Sequence, residues 1–298
     1  MSRPHVVTSS ELQSLRDLEL LTKTTVEGLR QGLHRSPFHG YSAEFSQYRH
    51  YLPGDDLKYV DWKLFARTDR IYTKQYRETT NVLAQVAVDA SGSMAYQGNS
   101  PVSKLAYARL LAAALAHLVS KQGDAVGLVT FDEELRTYLP PRGGRLHLRR
   151  ILVSLSKLEA SGGTACGTGL RRAIDLLKRR GLLILVSDLY DDGEGVEAEL
   201  RRAVRIGHEV ALFHVLTPDE IALPFGGDVE LEDLETGRRV ITSAAARAGY
   251  QQAFARFLER WRTTCASYGI DYYRVNTSMP LDASLRDYLR RRTRSDHR

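Results

Sequence analysis

The sequence predicts an α/β fold: an open, mostly parallel sheet with helices on both faces. Three observations predict it. Four near-continuous apolar runs have the length of strands covered on both sides: "VLAQVAVD" at 82–89, "AVGLVTF" at 125–131, "LLILVSD" at 182–188 and "EVALFHVL" at 209–216. Segments of helical length and periodicity separate them. Glycines at 123 and 181 end two of those segments just before the next apolar run. Strands alternating with helices argue for right-handed crossovers and a parallel sheet.

The elements follow in chain order. Residues 9–30 read as a helix, with Ser10 as cap and Leu12, Leu15, Leu18, Leu21 and Val26 on one side. Glycines and a proline break that pattern over 29–40. Residues 41–80 are dense in aromatic and charged side chains. Within them "LPGDD" at 52–56 has turn chemistry and "RIYTKQY" at 70–76 has strand character. The helices between the apolar runs are expected at 102–123, 146–158, 165–181 and 195–207. "LPFGGDVELEDLETGRRVI" at 223–241 reads as a hairpin turning at "ETG", its acidic residues a solvated face. A long helix over 243–268, a strand at 270–276 and a short helix at 281–292 complete the chain.

Composition narrows the function classes. The chain has 298 residues, 43% hydrophobic and 26% charged, ordinary for a globular protein with a sizeable core. The longest strongly apolar run, 110–119, contains His117 and is too short to span a bilayer. The first residues lack the pattern of a signal peptide, so a cytoplasmic location is expected. Two cysteines, Cys166 and Cys265, without metal-ligand spacing, suit a reducing compartment. The net charge is +6, and the tail 286–298 holds six arginines against two aspartates. The body is therefore near neutral and lacks interleaved aromatic and basic residues, which argues against nucleic acid as partner.

The chemistry concentrates in "LAQVAVDASGSMAY" at 83–96. Asp89, Ser91 and Ser93 lie past the carboxyl end of a buried strand, where open α/β sheets collect function. Alternate residues of an extended loop face one way, so one carboxylate and two hydroxyls converge. "SGGTACGTG" at 161–169 adds Thr164, and "LLILVSD" adds Asp188 at another strand end. Five oxygens with two carboxylates among them suit a hard divalent cation: Mg²⁺, or Mn²⁺ or Ca²⁺. The rivals are weaker. The glycine-rich stretch lacks the lysine of a P-loop and the spacing of a dinucleotide fingerprint. A metal-dependent phosphatase also places an aspartate after its first strand, here Asp89, and is the alternative reading. That chemistry needs a second acid two residues on, and this position is Ser91. Cys166 reads as a packing residue rather than a nucleophile, and His34 and His39 as loop residues rather than zinc ligands. Asp55, Asp56, Asp61, Trp62, Arg67 and Glu78 read as an internal salt-bridge network, with a docking face for a partner as the other option.

At these residues the chain resembles a known pattern. Asp-x-Ser-x-Ser at 89–93, a threonine in the Gly-Gly-Thr loop at 164 and a strand ending in Asp188 match the metal-ion-dependent adhesion site of von Willebrand factor A-like domains. The segment "GYSAEFSQYRHYLPGDDLKYVDWKLFARTDRIYTKQYRET" at 40–79 resembles the signature of the bacterial domain of unknown function family 58, in which an A-like domain follows. The resemblance covers about residues 35–292. It implies a Rossmann-like, von Willebrand factor A-type sheet and metal ligation by Asp89, Ser91, Ser93, Thr164 and Asp188. It also implies a non-enzymatic protein-interaction module that acts with a MoxR-type AAA+ ATPase on a client protein. A small-molecule substrate is not expected. The organisation expected is an N-terminal helix and family-specific segment over 1–80, the A-like domain over 81–278, and a short helix with a basic tail over 279–298.

Overall fold

The computed structural model describes residues 15–30, 43–78, 82–163, 166–190, 195–224, 229–232, 239–242 and 244–295. Two compact units form: residues 38–82, and residues 1–37 together with 83–298.

The larger unit is built on a six-stranded sheet. Its strands are β3 (Leu83–Asp89), β4 (Ala125–Phe131), β5 (Leu135–Arg142), β6 (Leu182–Ser187), β7 (Glu209–Leu216) and β10 (Asp271–Asn276). Their order is β10-β7-β6-β3-β4-β5. All neighbours are parallel except the β4–β5 pair. The expected mostly parallel α/β sheet is therefore the observed one. The apolar runs supply its centre: β6 is buried at every residue, and β3 and β4 at all but their first. A strand covered on both faces needs no alternation, which is why these runs were readable as strands.

Helices cover both faces. α3 (Lys104–Lys121) and α4 (Arg145–Ser156) lie on one face, with α9 (Leu281–Ser295) against β10. α5 (Cys166–Asp175), α6 (Gly195–Arg205) and α8 (Ala244–Tyr268) lie on the other, around a core that includes Phe131, Leu170, Leu185, Leu212 and Trp261. α3 is apolar nearly all round because α1 (Leu15–Arg30) packs on its outer side and buries Leu18 and Val26. β8 (Val229–Glu232) and β9 (Arg239–Thr242) form the expected antiparallel hairpin, whose turn lies outside the described residues.

β5 is a strand the sequence reading did not anticipate. Its sequence "LRTYLPPR" carries two prolines, which lack the amide a ladder needs. The strand survives because it lies at the sheet edge, pairs only with β4, and its register slips between Val126 and Leu128.

The smaller unit holds β1 (Ala43–His50), also not anticipated, paired antiparallel with β2 (Tyr72–Glu78). Between them lies α2 (Trp62–Thr68), capped by the Asp61 carboxylate, which accepts from the Leu64 amide at 3.0 Å. Asp61 also accepts from the Tyr48 hydroxyl at 2.9 Å and pairs with Lys74 at 3.1 Å. Asp55 accepts from Arg49, from the Leu52 amide at 3.0 Å and from the Thr73 hydroxyl at 3.2 Å. Asp55 and Asp61 therefore tie this unit together from within, while Asp56 forms an exposed pair with Lys58 at 2.8 Å.

Candidate functional site at the strand carboxyl ends

The strand order fixes where the site must lie. From β3 the chain crosses to β4 on one side, and it returns later to place β6 on the other. The loops leaving β3 and β6 thus diverge above adjacent strands, the switch point where such sheets bind ligands. β3 ends in Asp89, and Asp188 directly follows β6.

The loop after β3 is held tightly. Asp89 Oδ1 accepts from the Ser91 amide at 2.9 Å, and Asp89 Oδ2 accepts from the Ser187 hydroxyl at 2.6 Å. The Ser91 and Ser93 hydroxyls lie 3.2 Å apart. Residues 92–95 make a single 3-10 turn that buries Met94. Asp89, Ser91 and Asp188 are buried, while Ser93 is part-exposed. Burial, and then the neighbouring Asp188, push the Asp89 carboxyl above the usual aspartate range. Two buried carboxylates this near one another call for positive charge.

The second loop is strapped to the first. The Ser161 amide donates to the Ala90 carbonyl at 2.9 Å, and the Gly92 amide to the Gly162 carbonyl at 3.2 Å. Arg136 holds this loop from β5, reaching the Glu159 carbonyl at 2.9 Å and the Ser161 carbonyl at 2.7 Å, and it pairs with Asp132. Gly162 has φ +86°, and a Cβ there would come within 2.5 Å of the Asp132 carboxylate, so only glycine fits. Thr164, the fifth expected ligand, lies outside the described residues.

Asp188 is positioned from three sides. Its carbonyl accepts from His214 Nε2 at 2.9 Å, so Nε2 carries the proton and Nδ1 accepts from the Tyr272 hydroxyl at 2.7 Å. Burial holds His214 neutral by lowering its pKa to about 3. The next residue, Leu189, is buried with φ 59°, a left-handed conformation that costs a non-glycine residue about 1–2 kcal/mol. Its amide donates to the Ser187 hydroxyl at 2.9 Å, so Ser187 links the Asp89 carboxylate to the strained turn.

Sequence reasoning missed the cation already present. The Lys104 ammonium donates to Asp188 Oδ2 at 2.6 Å and to Glu220 Oε1 at 2.6 Å, and it is only 1% exposed. The rings of Tyr190 and Tyr96 flank it at 4.8 and 5.8 Å. Burial opposes its charge, but Asp188 and Glu220 outweigh burial, so its pKa is raised and the group stays protonated. Glu220 belongs to α7 (Pro218–Ala222), where it closes a capping box with Thr217. Two signals were legible. A lysine opening a helix opposes the helix dipole and needs a partner, and "TPDE" at 217–220 spells a capping box.

Cys166 is buried, and its thiol donates to Asp89 at 3.5 Å. Burial, then Asp89, push its pKa far above the ordinary thiol value, the reverse of an activated nucleophile. The described residues also line a half-open pocket of about 260 Å³ at the opposite, amino end of the strands. Leu83, Tyr138 and Leu177 line it with Gln85, a buried side chain. It is remote from the carboxylates.

The donor set suits a hard cation: two carboxylates, and hydroxyls from Ser91 and Ser93, all oxygen. Lys104 already places one positive charge against Asp188. Among the described residues no group of three or more His, Cys, Asp or Glu side chains is arranged to hold a metal ion. No described helix is long and apolar enough to cross a membrane.

An uncharacterized protein of Mycobacterium tuberculosis, Rv1480, is 31% identical over 247 residues, 82% of this chain and 76% of that one. The uncharacterized protein YeaD of Bacillus subtilis is 27% identical over 122 residues, 41% of this chain and 28% of its own. Among solved structures, BatB from Bacteroides thetaiotaomicron overlaps 72% of this chain and 99% of its own at 20% identity, with a TM-score of 0.46. A von Willebrand factor type A protein from Catenulispora acidiphila overlaps 49% of this chain and 35% of its own at 21% identity, with a TM-score of 0.35. Residues 47–260 match the family described as protein of unknown function DUF58, and the chain belongs to that family.

Proposed function

We propose that this chain is a protein-interaction module whose rim site holds a hard divalent cation, Mg²⁺ or alternatively Mn²⁺ or Ca²⁺, and captures a carboxylate of a partner protein. The observation that carries the reading is the meeting of Asp89, Ser91, Ser93 and Asp188 at one switch point of the sheet. Asp89, Ser91 and Ser93 are the direct ligands in this reading, with Thr164 from the adjoining loop. Asp188 contributes its charge from the second strand. Bound there, a divalent ion supplies an electrophilic position for an incoming carboxylate. Ser93, the part-exposed member, marks the side from which a partner approaches.

A binding role is favoured over hydrolysis by the surroundings of Asp89. Its carboxylate accepts from Ser187 and the Ser91 amide and sits under a thiol, and the position two residues on is a buried serine. A phosphatase needs its aspartate free to attack and an acid beside it to protonate the leaving group. The partner class is a MoxR-type AAA+ ATPase acting on a client protein. Support for that class is the family resemblance of residues 40–79 and of the rim motifs.

The test is a pull-down of a MoxR-type ATPase by the full chain in Mg²⁺, in EDTA, and with Asp89→Ala. Capture in Mg²⁺ that is lost in EDTA and in the variant is expected. Equal capture in all three would remove the metal-mediated reading.

A further inference from the structure

We propose that Lys104 is a fixed internal cation that competes with a divalent ion for Asp188, and that Glu220 on α7 tunes that competition. The inference rests on the metal reading of Asp89, Ser91, Ser93 and Asp188.

The geometry makes Lys104 a shared counterion. Its ammonium lies 2.6 Å from Asp188 and 2.6 Å from Glu220, on residues 84 and 116 positions away in the chain. It is enclosed by Tyr190 and Tyr96, so water does not screen it. An Asp188 carboxylate already paired with Lys104 lends less negative charge to a second cation beside it. The strength of that effect depends on how the ammonium divides itself between its two acids. Glu220 draws it away from Asp188, and Glu220 is itself held by the Thr217 amide at 2.7 Å and hydroxyl at 3.0 Å. The backbone carbonyl of Glu220 in turn accepts from Tyr250 of α8 at 3.0 Å. A displacement of α7 is therefore felt at Asp188 through one lysine. The same competition leaves a bound ion with less charge donated to it, and so more electrophilic toward a partner carboxylate. Lys104 acts here as a positioning residue rather than a ligand.

The two substitutions have opposite signs. Lys104→Met frees Asp188 and should tighten Mg²⁺ binding by about ten- to a hundredfold, as expected for removing a buried neighbouring charge. Glu220→Gln leaves the ammonium wholly to Asp188 and should weaken binding about three- to tenfold. The double variant separates a relay from plain long-range attraction. If Glu220 acts through Lys104, Glu220→Gln changes little once Lys104 is methionine.

The experiment is a titration of the full chain with Mg²⁺, followed by calorimetry, and with Mn²⁺, followed by electron paramagnetic resonance. Wild type, Asp89→Ala, Lys104→Met, Glu220→Gln and the double variant are compared, with circular dichroism as the control of folding. Tighter binding in Lys104→Met, weaker binding in Glu220→Gln and non-additivity in the double variant are expected. Wild-type binding abolished by Asp89→Ala but unmoved by Lys104→Met or Glu220→Gln would overturn the role of Lys104 and leave the metal site standing. No binding by wild type, Lys104→Met or Glu220→Gln would overturn both. Should Lys104→Met fail to fold, Glu220→Gln decides alone: tighter or unchanged binding would overturn the proposal.

Discussion

Asp61 in the smaller unit and Asp89 at the rim of the sheet are the same side chain in opposite surroundings. Asp61 is met by donors: the Leu64 amide first, then Tyr48 and Lys74, which hold its carboxyl down at about 2. Asp89 is met by burial and by another carboxylate, Asp188, which push its carboxyl up. The first carboxylate is more comfortable folded than unfolded, and its negative charge contributes to folding. The second is less comfortable ionised in the fold than in water. A chain keeps such a group where its demand for positive charge serves something other than stability. Lys104 meets that demand beside Asp188, while Asp89 is met by neutral donors, the Ser91 amide, the Ser187 hydroxyl and the Cys166 thiol.

The comparison can be broken most forcefully at Lys104. Lys104→Ala strands Asp188 and Glu220 without their cation, and breaking a buried pair from one side costs about 3–5 kcal/mol. Urea unfolding should show that loss. A change under about 1 kcal/mol would mean that the two acids are satisfied without the lysine. A smaller effect of the opposite sign is expected at Asp89. Its native pKa lies above the unfolded value of 3.8, so the folded state retains a proton that the unfolded state has lost. Its contribution to stability is therefore present at low pH and is lost as pH rises through the native value. In EDTA, Asp89→Asn should be more stable than wild type at pH 8, by about 1 kcal/mol, with the gap closing toward pH 4. Urea midpoints across that range check the sign. A variant less stable at pH 8 would show that the charged Asp89 is held by its hydrogen bonds better than burial opposes it.

The four central strands were legible because a nearly continuous apolar run of six to eight residues has one physical explanation in a crossover fold: burial on both faces. The same rule exposed the site. Asp89, Ser91 and Asp188 are polar residues at the ends of mostly apolar runs, and the fold brings them to one rim. β5 was not legible, since its prolines contradict a strand anywhere but at an edge, and edge position is a property of the sheet order. Lys104 and Glu220 escaped for a related reason. Each is an ordinary charged residue within its own helix, and only the strand order brings both to Asp188. Of Asp55, Asp56, Asp61, Trp62, Arg67 and Glu78, Asp55 and Asp61 make bonds within the unit, and Trp62 is exposed.

The last two predictions sharpen that division. Asp61 is held below its ordinary pKa, so its contribution is present above the unfolded value of 3.8 and is lost as pH falls toward about 2. Protection of the Leu64 amide from hydrogen exchange should drop over that acid window in wild type and be low throughout in Asp61→Ala, since Leu64 donates to this carboxylate. Protection unaffected by Asp61→Ala would mean that α2 holds its first turn without the cap. The smallest effect on stability is expected at Trp62. It is 57% exposed and stacks edge-to-face with Phe65, with ring centroids 6.3 Å apart. Of the nine exposed large hydrophobic residues described, Tyr48, Leu52, Tyr59, Trp62 and Ile71 all fall within residues 43–78, so this short unit carries more than its share. Removing a ring that buries little changes folding little, and Trp62→Ala should move unfolding by no more than about 0.5 kcal/mol. A binding surface behaves otherwise, because an exposed aromatic ring gains its burial only when a partner arrives. Trp62→Ala should therefore weaken capture of a MoxR-type ATPase while leaving folding intact, whereas Asp61→Ala should loosen α2 before it touches capture. If Trp62→Ala destabilises the unit and leaves capture unchanged, the aromatic side of residues 43–78 is structural in the same sense as Asp61, and the rim of the sheet stands as the sole interaction surface argued for.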